Sequence, residues 1–158
     1  MDERRDLTFA SLDDVMPEVK RLLAGHAMVG RWTLGHICNH LAAALRLTLE
    51  APPGSAEPTR EQRVARRLFF RSGRFPDGLE APIPVLQPQP GLDAATEAEA
   101  LREVIHRFDE ATGPYPAHPV LGPLTKEEWT HFHRLHCAHH VGFARPLGEA
   151  PAVQVAGD

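Results

Sequence analysis

The chain has 158 residues, a formal net charge of -4, and a hydrophobic share of 42%. This length suits one domain with its own core, so we expect residues 1–158 to form a single domain. The negative charge excludes a global basic field for nucleic acid, and no apolar run approaches the roughly 20 residues of a membrane helix, so neither partner is expected.

Cysteine usage bears on the cellular compartment. Cys38 and Cys137 are the two cysteines, and they lie far apart in the sequence. This count indicates no disulfide framework, and the charged segment 1–5 leads into no signal-peptide core. We therefore expect a cytoplasmic protein whose cysteines act as small buried hydrophobic residues.

The first two helices are predicted from their capping residues. Ser11 precedes an amphipathic stretch that ends at Gly25, and Pro17 lies within it, which predicts an irregular first turn or a later start. A second helix is expected from the cap Thr33 to about Glu50.

Three further helices are predicted from capping-box patterns, in which a Thr is followed three residues later by Glu or Gln. The box at Thr59 opens a short helix toward Phe70, and the box at Thr96 opens a fourth helix that ends before Gly113-Pro114. The box at Thr125 opens a fifth helix, which Pro146 and Gly148 are expected to close.

The remaining segments are predicted to lack regular structure. Residues 73–91 are rich in Pro and Gly and predict a long loop, either a lid over one end of the molecule or a passive surface segment. Residues 147–158 are expected to form a flexible tail. No strand alternation is evident, so the fold class is all-α: a four-helix bundle with a short extra helix.

A cluster of histidines on the fifth helix is the strongest functional feature. His136 and His140 are four residues apart and share one helical face with the aromatic residues of that helix. His131 falls on the opposite face and should be solvated, whereas His139 lies at the border. The inward pair could hold a divalent transition metal at two points, or form ordinary hydrogen bonds.

A third ligand must come from another part of the chain. His40, within an apolar stretch of the second helix, is the leading candidate, and neighbouring alanines leave room for its ring. His36, one turn earlier, is either a group that supports a ligand or an exposed residue. Because the fifth helix contains several histidines, His133 or His139 could be a ligand in place of His136 or His140.

Three segments resemble the DinB/YfiT-like superfamily of four-helix-bundle proteins, in a branch of unknown function. The matching segments are GRWTLGHICNHL at 30–41, HPVLGPLTKEEW at 118–129 and HCAHH at 136–140. The resemblance implies a divalent metal, zinc or nickel, held by one histidine of the second helix and a pair on the last long helix. Carried over to this sequence, the ligands are His40, His136 and His140.

The resemblance also implies an activity. Three imidazoles leave coordination positions open, which is typical of catalytic metal sites. Relatives in the superfamily include thiol-dependent enzymes, so the expected function is a metal-dependent enzyme, a transferase or a hydrolase. The transferase would join a small-molecule thiol to an electrophile. His36, His118 and His133 are candidate bases, and none is preferred. No catalytic residue is assigned.

Two further points remain open. Arg60, Arg63, Arg67 and Arg71 form a stripe on the third helix, which is either a docking site for an anionic cosubstrate or a solvated face. The alternative function is a non-catalytic metal-binding or stress-associated module. A homodimer is compatible with both functions. A structural metal would be closed by a fourth ligand, for which His36 or His139 is the candidate.

Overall fold

The computed structural model describes residues 3–54, 57–76 and 90–148. These ranges contain five α-helices: α1 (Val15–Leu23), α2 (Leu34–Glu50), α3 (Arg60–Ser72), α4 (Ala94–Glu110) and α5 (Lys126–Val141). They also contain two short strands, β1 (His26–Met28) and β2 (Ala144–Pro146). The protein is mostly helical, as predicted. The small sheet formed by the two strands was not predicted from the sequence.

The start of α1 confirms the irregular first turn. The hydroxyl of Ser11 accepts a hydrogen bond from the backbone N–H of Asp13 at 3.1 Å, and a 3-10 turn (Leu12–Asp14) precedes the helix. Pro17 is then the third residue of α1, where the helix needs no backbone N–H from it. The proline therefore sets the entry to the helix without breaking it.

Four threonine N-caps were predicted for the later helices, and the structure confirms three of them. Thr33, Thr59 and Thr125 cap α2, α3 and α5 as expected. The predicted start of α4 at Thr96 is wrong, because the carboxylate of Asp93 accepts from the Thr96 N–H at 2.9 Å and α4 begins at Ala94. An Asp three residues upstream is an equally good N-cap, and it includes one more turn in the helix.

The predicted end of α5 is also corrected. The helix ends at Val141, and residues 144–146 instead pair antiparallel with β1, with Ala27 opposite Arg145. The backbone N–H of Arg5 donates to the Gly142 carbonyl at 2.8 Å, and that of Val29 donates to the Phe143 carbonyl at 2.8 Å. These bonds draw the chain away from the helical path and tie the N-terminal segment to the end of α5.

The buried core is supplied by α1, α2, α4 and α5. Gly35 marks the closest approach of α2 to the segment before α4, because a Cβ at this position would lie 2.7 Å from the Leu92 carbonyl oxygen. By contrast, α3 has no buried residue among those described. It is longer than α1, 13 residues against 9, so the prediction of a short extra helix is wrong in length.

Gly73 ends α3 with a φ of 65°, a left-handed conformation that favours glycine. The rest of the predicted loop at 73–91 lies outside the described residues between positions 77 and 89, and so does the predicted tail from position 149 onward. Among the described helices, none has the length and apolar character needed to cross a membrane.

Candidate metal centre

His40 is placed by the regular start of α2. The Thr33 hydroxyl accepts from the His36 N–H at 3.1 Å, and the His36 ring nitrogen Nδ1 accepts from the Thr33 N–H at 3.4 Å. The helix thus begins with a capping box in which His36 takes the place of the usual Glu or Gln. His40, one turn later, is 4% exposed and lies among core residues.

His136 and His140 are placed one turn apart on α5 as predicted. His136 is buried and His140 is half-buried. Their ring centroids are 4.7 Å apart, and the His40 ring lies 4.8 Å from His136 and 4.5 Å from His140. Helices α2 and α5 therefore bring the three predicted ligands into one cluster.

The three imidazoles have the spacing of a metal-ligand set. One nitrogen of each ring lies within 4.8 Å of those of the other two, and the Nε2 atoms of His40 and His136 are 3.0 Å apart. Zinc–nitrogen bonds of about 2.0–2.1 Å in tetrahedral geometry separate the nitrogens by about 3.3 Å. Among the described residues, this ligand set contains no carboxylate or thiol. The three rings are therefore close enough to hold a divalent ion.

The protonation state also suits metal binding. Burial, followed by the charges of His140 and His40, holds the pKa of His136 well below its usual range. Burial and the charge of His40 lower the pKa of His140 to about 2. Both rings are therefore neutral at physiological pH, which is the form in which imidazole coordinates a metal.

A cavity opens beside His140. It has a volume of about 210 Å³ and is lined mainly by apolar groups, including Trp32, Ile37 and Phe143. The Trp32 indole stacks on the His140 ring, with centroids 5.3 Å apart and planes 5° from parallel. A small, largely apolar cavity therefore lies next to His140, one of the three clustered histidines.

The other histidines of α5 do not join the cluster. His139 is buried and lines the same cavity, and its ring meets the edge of His140 at 4.9 Å, but it is outside the ligand set. His131 was expected to be solvated, but its side chain is half-buried. The centroid of its ring lies 5.0 Å from that of Phe70 in α3.

The candidate bases are engaged elsewhere. His118 Nδ1 accepts from the N–H groups of Val120 and Leu121 at 3.0 and 3.1 Å, and burial lowers its pKa to about 4. His133 Nε2 lies 2.9 Å from the Thr48 hydroxyl, and burial, with the charge of His118, lowers its pKa to about 3. With His36 in the cap of α2, all three have structural roles.

The two cysteines are buried and free, as predicted. Burial raises the pKa of each thiol to about 12, so neither supplies a thiolate at neutral pH. The predicted arginine stripe on α3 is exposed, which is compatible with a solvated face.

Sequence reasoning missed Phe75. Its ring packs on His136 with centroids 4.7 Å apart and on His139 at 5.4 Å. The residue lies within the Pro- and Gly-rich segment, which was interpreted only as a loop. An aromatic residue among polar neighbours, directly after the end of α3, was the available signal that the chain turns back onto the core there.

Comparisons with known proteins place the chain in a family. No curated protein and no solved structure matches it significantly. The model of a family described as "Protein of unknown function (DUF1569)" matches residues 1–147, nearly the whole chain. The chain belongs to this family of unknown function.

Proposed function

We propose that His40, His136 and His140 hold one divalent transition metal ion, zinc or nickel, in a four-helix bundle of the DinB-like type. The observation that carries this proposal is the convergence of three imidazole nitrogens within 4.8 Å of one another. Imidazole suits zinc and nickel, whereas magnesium and calcium prefer oxygen ligands.

We further propose that the protein is an enzyme that transfers a small thiol to an electrophile. When bound, the metal would supply the positive charge that favours the deprotonated form of a thiol or water. In the transfer, the thiol sulfur forms a bond to the electrophilic carbon, the leaving group departs with the electrons of the broken bond, and the thiol proton passes through water to that leaving group. Three protein ligands leave room for such a group.

The protein's own residues would orient the electrophile. The cavity of about 210 Å³ next to His140 is lined by Trp32, Ile37 and Phe143, which suits the apolar part of a small molecule and keeps water away from it. Trp32 also fixes the plane of the His140 ring by stacking on it. Together these residues define where a substrate meets the cluster.

The first test is elemental analysis of tag-free protein beside the variants His40→Ala and His136→Ala. We expect about one zinc or nickel ion per chain in the wild type and loss of the ion in both variants. The matched control is His131→Ala, on the opposite face of α5, which should retain the metal. Absence of metal after reconstitution at neutral pH, or its loss only in the control, would contradict the ligand assignment.

The alternative is a non-catalytic metal-binding module that acts as a homodimer. Exposed apolar residues on α3, Val64 at 48% and Leu68 at 58% exposure, favour it because such a pair often lies in an interface. A metal-loaded protein that sediments as a dimer and shows no thiol consumption with a panel of small electrophiles would favour this alternative. Thiol consumption that requires the metal would favour the enzyme.

A further inference from the structure

A second cavity adjoins the candidate metal centre and is rich in arginine. It has a volume of about 230 Å³, and Arg4, Arg74 and Arg134 line it. Asp6 is the one carboxylate among the described lining residues, so the lining groups carry a net positive charge. Three guanidinium groups around a space of this size suit a small anion better than a large ligand.

Two of these arginines have no acidic partner among the described residues. Neither Arg74 nor Arg134 forms an ion pair with a carboxylate in the described part of the chain. Arg134 is held in place by one hydrogen bond, from Nη1 to the Ala10 carbonyl at 3.3 Å, while its buried Nε has no partner among the described residues. Among the described lining residues, three guanidinium groups thus face one carboxylate, that of Asp6, and neither Arg74 nor Arg134 is paired with it.

The cavity shares its walls with the metal-centre residues. Phe75 lines it and also packs on His136, with ring centroids 4.7 Å apart. His139 lines both this cavity and the apolar cavity beside His140. A molecule anchored here is separated from the cluster by one layer of aromatic side chains.

We propose that the arginine cavity is an oxyanion-binding site, which holds a carboxylate or phosphate group of a small ligand beside the histidine cluster. A role for this group in substrate binding rests on the proposed function, whereas anion binding itself does not. Arginine presents paired N–H donors that match both oxyanions, so the shared chemistry is what the cavity recognises.

The test is calorimetric titration of the full chain with two probes, inorganic phosphate and glutarate, at constant ionic strength. At least one probe should bind, and comparison of the two distinguishes phosphate from carboxylate recognition. Arg74→Gln and Arg134→Gln should each weaken binding about tenfold or more, the usual consequence of losing a charge-assisted hydrogen bond. Arg74 is exposed, so its variant should fold normally even if Arg134→Gln does not.

Arg67→Gln, an exposed change on α3, is the matched control and should bind like the wild type. Absence of binding for both probes overturns the inference, and so does equal weakening in Arg67→Gln. Titrations are run on EDTA-treated and zinc-loaded protein. Failure to load zinc with intact anion binding counts against the metal proposal alone, while zinc loading without anion binding counts against this inference alone.

Discussion

The free energy of unfolding should decrease as the pH is lowered, because His133 is buried in its neutral form. Its pKa is lowered to about 3, mainly by burial, against an ordinary value of 6.5. Below pH 6.5 the unfolded chain therefore binds a proton at this residue that the folded chain does not. The stabilising contribution is present above the unfolded-state pKa and is lost as pH falls toward about 3, at about 1.4 kcal/mol per pH unit.

Replacing His133 by Gln removes this titration and offers an amide to the Thr48 hydroxyl, which lies 2.9 Å from the histidine nitrogen. Between about pH 6.5 and pH 5, the wild type should lose about 1.6 kcal/mol more unfolding free energy than His133→Gln, because the unfolded histidine is already half protonated at pH 6.5. That difference is large against a typical total of about 5–15 kcal/mol.

The assay is urea unfolding followed by circular dichroism, in EDTA, at several pH values in this range. His106→Gln is the matched control, because the His106 side chain is 67% exposed on α4. It should keep the wild-type slope of unfolding free energy against pH. An equal slope in wild type and His133→Gln would show that the buried ring does not drive acid unfolding, and would refute the reasoning.

Three further variants or additions test the fold and the site. Zinc at about 100 times its Kd should stabilise the protein by about 2.7 kcal/mol, which raises Tm by about 5–11 °C in calorimetry. The variant His136→Ala should show no such shift. Equal shifts in the two proteins would contradict the ligand role of His136. Lys126→Met should cost about 1.5–3 kcal/mol in urea unfolding, because its ammonium donates to two carbonyls at the end of α4 at 2.6 Å, whereas exposed Lys20→Met should be neutral. Gly35→Ala should cost about 1–3 kcal/mol by the same assay, since its Cβ would meet the Leu92 carbonyl at 2.7 Å; an unchanged midpoint would show that this contact relaxes freely.

Helix positions were largely predictable because their caps are local. Ser11, Thr33, Thr59 and Thr125 each satisfy backbone groups within three residues, so the sequence contains the whole interaction. The end of α5 was not predictable in the same way. It depends on β1 and on the N-terminal segment, more than 100 residues earlier in the chain, and no local pattern reports those partners.

The same distinction applies to the histidines. Spacing on α5 predicted that His136 and His140 share a face, and the structure brings His40 to them as expected. A helical wheel also assigned His131 to solvent, but a wheel describes one helix and not its neighbours. Phe70 of α3 covers that face, and only the tertiary structure shows it.

The partners of the ring nitrogens separate structural histidines from the candidate ligands. His118 accepts two backbone N–H groups, and His133 lies against the Thr48 hydroxyl, so the protein itself satisfies a nitrogen of each ring. His136 differs, because its Nε2 faces another imidazole at 3.0 Å and its buried Nδ1 has no partner among the described residues.

Two imidazole rings that face each other through Nε2 form a single hydrogen bond, with one proton between the two nitrogens. The third ring of the cluster, His140, adds a further lone pair to the same small volume and cannot be protonated cheaply there, since burial lowers its pKa to about 2. A divalent cation would accept one lone pair from each of the three rings. This is how the cluster differs from His118 and His133, whose nitrogens already have protein partners.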